Sequence, residues 1–285
     1  MADRPGGQLA GEALFTWSAA GQRLQAIPAA NHRLDVADSW LIDEGMVRGL
    51  PYHAERFIES CRRRHAVAAA STAEFLDTAA AALPLTGRWF PRVEFEAGVG
   101  FRLRLRAAPA PSATVVLRRA DGPDSRRDPT VKGPDLAMLV RMRQGAAARG
   151  ADEVLLVGRS GSVLEGALSA VLWWRGDVLC APPLSLPVLP SVTRRLLLEI
   201  AAGTGTEVRF EACAAEDLDG LELWTASALH GIRPVTSWSG ESLVPAPARR
   251  AAAWQARLIA AAVRVPGPVQ AGESRPQSPA LTSGA

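Results

Sequence analysis

GADEVLLVGRSGSVLEGALSAV, Gly150 to Val171, and PSVTRRLLLEIA, Pro190 to Ala201, together decide how the fold is read. DEVLLV is an apolar run of strand length and GRSGS a turn. The next apolar segment carries one acid, Glu165, before AVLWWR starts another strand. A carboxylate in so apolar a setting needs either solvent at a strand end or a partner, because an unpaired buried charge is costly. Further on, Pro190 and Ser191 interrupt the chain. Val192 and Thr193 then open a helix whose first N–H groups lack intrahelical acceptors, an arrangement that can hold a phosphate.

Toward the C-terminus the pattern continues with VLCAPP after a GD turn, then strands in EVRF, LELWT and IRPVTSW, and a last helix, AAAWQARLIAAAV, ending before Pro266. WTASALHGIRPV places small residues between two of these strands, which leaves Ser227 and nearby backbone amides accessible. On the N-terminal side a helix is expected from about 136 to 149. ADGPDSRRDPT, rich in Pro, Gly and charge, reads as a linker beside which a cleft between domains should lie. Upstream, Ala13 to Trp17 and Arg23 to Ile27 form one hairpin, and Ser39 to Asp43 with Met46 to Leu50 a second. Pro51 opens a helix on which HAERF sets His53 and Arg56 three apart on one face, so that the guanidinium could grip an anion with two bonds. A helix near 72 to 82 and strands in VEFE, FRLRLR and TVVLRR complete an α+β unit over residues 1–119. A second domain spans 120–265, and 266–285 is too polar to fold.

Composition sharpens the search for chemistry. The chain has 285 residues, 48% of them hydrophobic and 21% charged, enough to bury a substantial core. Of its 32 basic residues only Lys132, in PTVKGPD, is a lysine. Arginine replaces lysine wherever only charge is wanted, but an amine can lose its proton and attack a carbonyl, which guanidinium does not do. Lys132 precedes Gly-Pro and is expected where a short strand ends in a turn, projecting into a cleft. Three separated cysteines lack CxxC spacing and read as buried thiols; no metal site is assigned. The polar N-terminus and the absence of a long apolar run predict a cytoplasmic protein with neither signal peptide nor membrane span. Net charge is +3, without blocks of like charge. Arg102, Arg104 and Arg106 alternate along one strand, which reads as a solvated face or, as a rival function, a nucleic-acid surface.

Taken in order, the Arg of HxxR, the lysine near the domain junction, the EG strand of Glu165, LPxxTR and TxSxxGIxPV resemble the class IV pyridoxal-phosphate aminotransferases. That group includes branched-chain and D-amino-acid aminotransferases and 4-amino-4-deoxychorismate lyase. The resemblance covers roughly residues 38 to 240. It implies a fold-type IV architecture, with a small α/β sandwich domain and a larger mixed β/α domain, and a homodimer. It also implies an enzyme that moves an amino group between an amino acid and a 2-keto acid, or alternatively releases pyruvate and 4-aminobenzoate. By the same resemblance Lys132 attaches pyridoxal 5'-phosphate and carries the proton at substrate Cα. Glu165 keeps the cofactor's pyridine nitrogen protonated. Arg56, the amides of Val192 and Thr193, and the Ser227-Ala228 turn surround the phosphate. The sequence departs from the family pattern at Asp135-Leu136, where Asn-Tyr is usual, at Ala170, where Asn is frequent, and at Ala228, where a hydroxyl is usual.

Overall fold

The computed structural model describes residues 12–265, so the expected tail at 266–285 lies outside the described residues. In its first part the hairpin of β1 (Ala13–Ser18) and β2 (Arg23–Ile27) is followed by β3 (Val36–Ser39), β4 (Ile42–Asp43) and β5 (Met46–Arg48). Then come α1 (Leu50–His65), α2 (Ala69–Ala81), β6 (Arg88–Trp89), β7 (Arg92–Glu96) and β8 (Gly100–Leu105). Strands β2-β1-β8-β7-β3 make an antiparallel sheet in that order. The run expected as a single strand from Ser39 divides at Trp40 and Leu41, so that β3 joins this sheet while β4 pairs with β5 and β6. Helices α1 and α2 bury Phe57, Cys61, Phe75 and Ala79 against Phe95, Phe101 and Leu103. Phe75 and Phe101 stack with ring centroids 4.8 Å apart.

The arginine stripe of β8 overturns the expectation of a solvated face. Arg102 and Arg104 are 4% and 3% exposed. The register sets Arg104 opposite Arg92 and Arg102 opposite Glu94. Glu94 Oε1 then accepts from Arg104 Nε and Arg92 Nη2, both at 2.7 Å, while Arg102 pairs with Glu96 at 2.7 Å and Arg104 also with Glu12. Alternation placed these arginines on one face correctly, but the interleaved acids of β7 make that face buriable. Arg106, just beyond β8, escapes this ladder.

The rest of the chain builds a curled eight-stranded sheet from β9 (Val115–Arg119), β10 (Glu153–Val157), β11 (Val163–Gly166), β12 (Ala170–Arg175), β13 (Val178–Ala181), β14 (Val208–Phe210), β15 (Glu222–Ser227) and β16 (Gly231–Trp238). Its order is β11-β10-β9-β16-β15-β12-β13-β14, and a bridge from Gly166 to Ser169 brings β11 back against β12. TVVLRR, expected to finish the N-terminal unit, belongs here: β9 runs parallel to both β10 and β16 at the sheet's middle, where an apolar strand is covered on both sides. Helices α3 (Leu136–Ala147), α4 (Val192–Gly203) and α5 (Ala251–Ala260) accompany the sheet, and Trp254 of α5 packs against Trp174 of β12 and Trp224 of β15. The final helix stops short of its expected Val263, because β17 (Ala262–Arg264) pairs antiparallel with β5 and buries Val265 in the first core. All three cysteines are buried free thiols, and no described helix is long and apolar enough to cross a membrane.

Candidate functional site

A cavity of about 310 Å³ opens where residues of both large sheets meet, and Lys132 lines it. No strand precedes Lys132, contrary to expectation; it sits in a succession of turns and bends from Thr130 to Asp135. Tertiary contacts hold those bends in place. Val131 is buried in the first core, the Lys132 carbonyl accepts from Ala37 N at 2.7 Å, and Gly133, at φ 141°, backs onto β3 so closely that a Cβ would lie 3.0 Å from Ala37 N. Burial pushes the Lys132 amine down to about 8. Asp38 opposes this, and Arg56, Arg106 and Arg92 reinforce it. The amine is therefore available as a base or nucleophile close to neutrality.

Asp38 is fully buried on β3 and was not singled out by sequence. Its Oδ1 lies 2.8 Å from His53 Nδ1 and accepts from Arg56 Nη2 at 2.8 Å, while Oδ2 accepts from Arg56 Nε at 2.8 Å. Burial alone would raise its pKa, but Arg56 and His53 outweigh that and hold the carboxyl well below its ordinary range. Arg56 thus spends its bidentate edge on Asp38, not on an open anion site, and its Nη1 donates to the Pro190 carbonyl at 2.9 Å just before α4. Arg56 still lines the cavity.

At that end of the cavity stand Val192 and Thr193, whose amides precede the first intrahelical bond of α4; the N-cap Ser191 accepts from Arg194 N. Gly49, at φ 63°, lets α1 approach closely, since a Cβ there would lie 2.9 Å from Val192 Cγ1. The Ser227-Ala228 turn lies on the same cavity, held by Arg48 Nη2 donating to the Ala228 carbonyl at 2.9 Å. Guanidinium charge, helix-start amides and a turn together suit an anion such as a phosphate.

Glu165 lines the same cavity and is 6% exposed. Its Oε1 accepts from Arg126 Nη1 at 2.5 Å and from Leu189 N at 2.8 Å. Burial raises its pKa to about 7 against the pull of Arg126. Arg126 lies within the segment read as a linker, where its other contacts are Asp124 and the Pro187 carbonyl. Its role is invisible in sequence, since it arises from a long loop folding back on β11. Arg92 and Arg106 form another wall. Arg106 donates to the Phe90 carbonyl at 2.9 Å, stacks over the Phe90 ring at 5.0 Å and is pushed down to about 10 by burial and by neighbouring Arg92.

Comparison with known proteins agrees with this geometry. Residues 35–238 match the model of the family described as "Amino-transferase class IV". A "Bifunctional aminodeoxychorismate lyase / D-amino acid transaminase" of Mycobacterium tuberculosis is 30% identical over 138 residues, 45% of this chain and 48% of that protein. An "Aminodeoxychorismate lyase" of Bacillus subtilis is 33% identical over 87 residues, 30% of this chain and 29% of that protein. The matched regions thus span half or less of these curated relatives. A hypothetical aminotransferase from M. tuberculosis, solved in an "alpha-ketoglutarate and PMP bound form", superposes with a TM-score of 0.69 at 19% identity, covering 87% of this chain and 98% of that one. With the fold shared and the family model spanning most of the described residues, the chain belongs to the class IV aminotransferase family.

Proposed function

We propose that the chain binds pyridoxal phosphate through Lys132 and moves an amino group between an amino acid and a 2-keto acid. The observation that carries this reading is the placement of the sole lysine, its pKa lowered to about 8, on a cavity shared with helix-start amides and a buried carboxylate. The donor set fits the cofactor. Val192 and Thr193 amides, the Ser227-Ala228 turn and the charge of Arg56 would hold the phosphate, and Glu165 would hold the proton on the ring nitrogen. A neighbouring cation restores the charged form of a carboxylate that burial has brought to about 7. When bound, the cofactor supplies an aldehyde for covalent attachment and a ring that takes up the electrons of the broken Cα–H bond. Lys132 would then hold and return the proton at Cα, while Arg92 and Arg106 would orient the substrate carboxylate.

Lyase chemistry on 4-amino-4-deoxychorismate is the second reading: one curated relative is named for it alone and the other for both lyase and transaminase activity. The two separate in one experiment on purified protein loaded with pyridoxal phosphate. Transamination predicts that an amino acid alone converts the cofactor to its amine form and that a keto acid restores it. If a panel including glutamate, branched-chain amino acids and D-alanine leaves the spectrum unchanged while aminodeoxychorismate yields pyruvate, the lyase reading replaces it. Borohydride reduction and peptide mapping test the shared core: the pyridoxyl group is expected on Lys132 and lost in Lys132→Arg, which keeps charge but not carbonyl chemistry.

A further inference from the structure

The turn from Ser227 to Gly231 joins β15 to β16, and Ser227, Ala228, Leu229 and His230 all line the cavity of Lys132. Three successive carbonyls of this turn are taken up by two side chains from distant parts of the chain. Arg48, at the end of β5, donates through Nη2 to the Ala228 carbonyl at 2.9 Å and to the Leu229 carbonyl at 3.4 Å. Gln255 of α5 donates through Nε2 to the His230 carbonyl at 3.2 Å, and its Oε1 accepts from Ile232 N at 2.8 Å. Both side chains close on Gly231. That residue has φ 70°, and a Cβ there would overlap Gln255 Oε1 and lie 2.8 Å from Arg48 Nη1. The amides of Ala228 and Leu229, by contrast, have no acceptor among the described residues.

Arg48 is half-buried, and burial pushes its guanidinium below its ordinary value against the pull of Asp43. Among the described residues it forms no ion pair, and its hydrogen bonds end on the two carbonyls of the turn. A charge held in such a setting depends on its acceptors, so guanidinium and turn fix each other. The two supports are also joined: Ala262 of β17, just past α5, pairs with Arg48. Each peptide group is planar and trans, with its N–H opposite its C=O. Holding the Ala228 carbonyl on Arg48 therefore directs the Leu229 amide to the opposite side.

From this geometry we infer that Arg48 and Gln255 are positioning residues, which hold the carbonyls of the turn so that its free amides are kept for an anion. The inference rests on the cofactor reading above, in which that anion is the phosphate of pyridoxal phosphate. Neither Arg48 nor Gln255 lines the cavity, so their effect passes through the turn.

Pyridoxal phosphate and pyridoxal share ring and aldehyde and differ by the phosphate. The ratio of their dissociation constants, from absorbance titration of the cofactor-free full chain, reads the phosphate contact and cancels a general loosening of the fold. In Arg48→Met the preference for the phosphorylated form should fall about tenfold, the scale of a hydrogen bond from a charged group, and Arg48→Lys, which keeps a charged donor, should recover part of it. Gln255→Glu keeps shape and the acceptor for Ile232 N, but its carboxylate cannot donate to the His230 carbonyl, so the preference should fall there too. Because that change leaves volume untouched, it guards against misfolding at Arg48, and melting curves check each variant. Arg257→Gln, at an exposed position of α5, should keep the wild-type ratio. Ratios unchanged in both Arg48→Met and Gln255→Glu, even where the two ligands weaken together, overturn the inference, as does a wild type without preference for the phosphorylated form. Borohydride reduction and peptide mapping of the wild type separate the two readings. A pyridoxyl group on Lys132 with unchanged ratios rejects the positioning role alone, whereas none on Lys132 rejects the cofactor reading and the positioning role with it.

Discussion

Lys132 is set apart from the arginines around it by its titration. Covalent attachment needs the free amine, which accumulates as pH rises through the pKa of the folded protein. The rate of pyridoxal phosphate uptake by cofactor-free protein should therefore rise with a midpoint near 8, well below that of an ordinary lysine. Arg106→Leu removes one of the positive neighbours that hold the amine down, so the midpoint should move up; stopped-flow absorbance across a pH series reads it directly. A midpoint unmoved in Arg106→Leu would show that Arg106 has no part in setting the value. Glu165 invites a second substitution at this scale. Glu165→Gln keeps shape and a hydrogen-bond acceptor but cannot carry the charge that stabilises a protonated ring nitrogen. Turnover should drop at least about tenfold, or ~1.4 kcal/mol of barrier, with cofactor retained. Unchanged turnover would reduce Glu165 to the partner of Arg126.

At the scale of elements, the anion end of the cavity depends on how closely α1 approaches the start of α4. Gly49 permits that approach twice over, by its left-handed backbone and by its missing Cβ. Gly49→Ala should cost about 1 to 2 kcal/mol from the backbone conformation alone. The displaced Val192 should also weaken retention of pyridoxal phosphate. Thermal unfolding and equilibrium dialysis together check this; a stability loss with unchanged retention would detach Val192 from phosphate binding. The ladder of Glu94 with Arg92 and Arg104 shows how an element's charges are decided by its neighbour. Three arginines spaced by two along FRLRLR look like a solvent face until the acids of VEFE are brought alongside.

For the whole molecule, the amine is placed by contacts from distant parts of the chain. Val131 enters the first core, the Lys132 carbonyl closes a hydrogen bond to β3, and Gly133 leaves no room between. Gly133→Ala combines a strained φ with a Cβ about 3 Å from the β3 backbone. It should lose Lys132 attachment out of proportion to its loss of stability, as peptide mapping beside a melting curve would show. The return of the chain at β17, which pairs with β5 and buries Val265, ties the last described residues to the first core. It therefore joins the core that holds Val131 from the other end of the sequence.

Sequence alone determined the elements whose signals are local: hairpin β1-β2, the helix opened by Pro51, the apolar strands of DEVLLV and AVLWWR, and the Ser191 start of α4. It also isolated Lys132 and Glu165, because a lone lysine among arginines and a lone acid in an apolar run each conflict with their surroundings. Only the tertiary structure decided the rest. Strand β9 belongs to the larger sheet because its partners, β10 and β16, lie far along the chain. The final helix yields to β17 because pairing with β5 satisfies backbone groups and buries Val265. Asp38 claims Arg56, Arg126 reaches Glu165 from a loop that reads as a linker, and Arg143 meets Arg233 across Glu153. Each of these pairings joins residues with no shared local signal. Charge pairing depends on distance in space, and only the packed chain sets that distance.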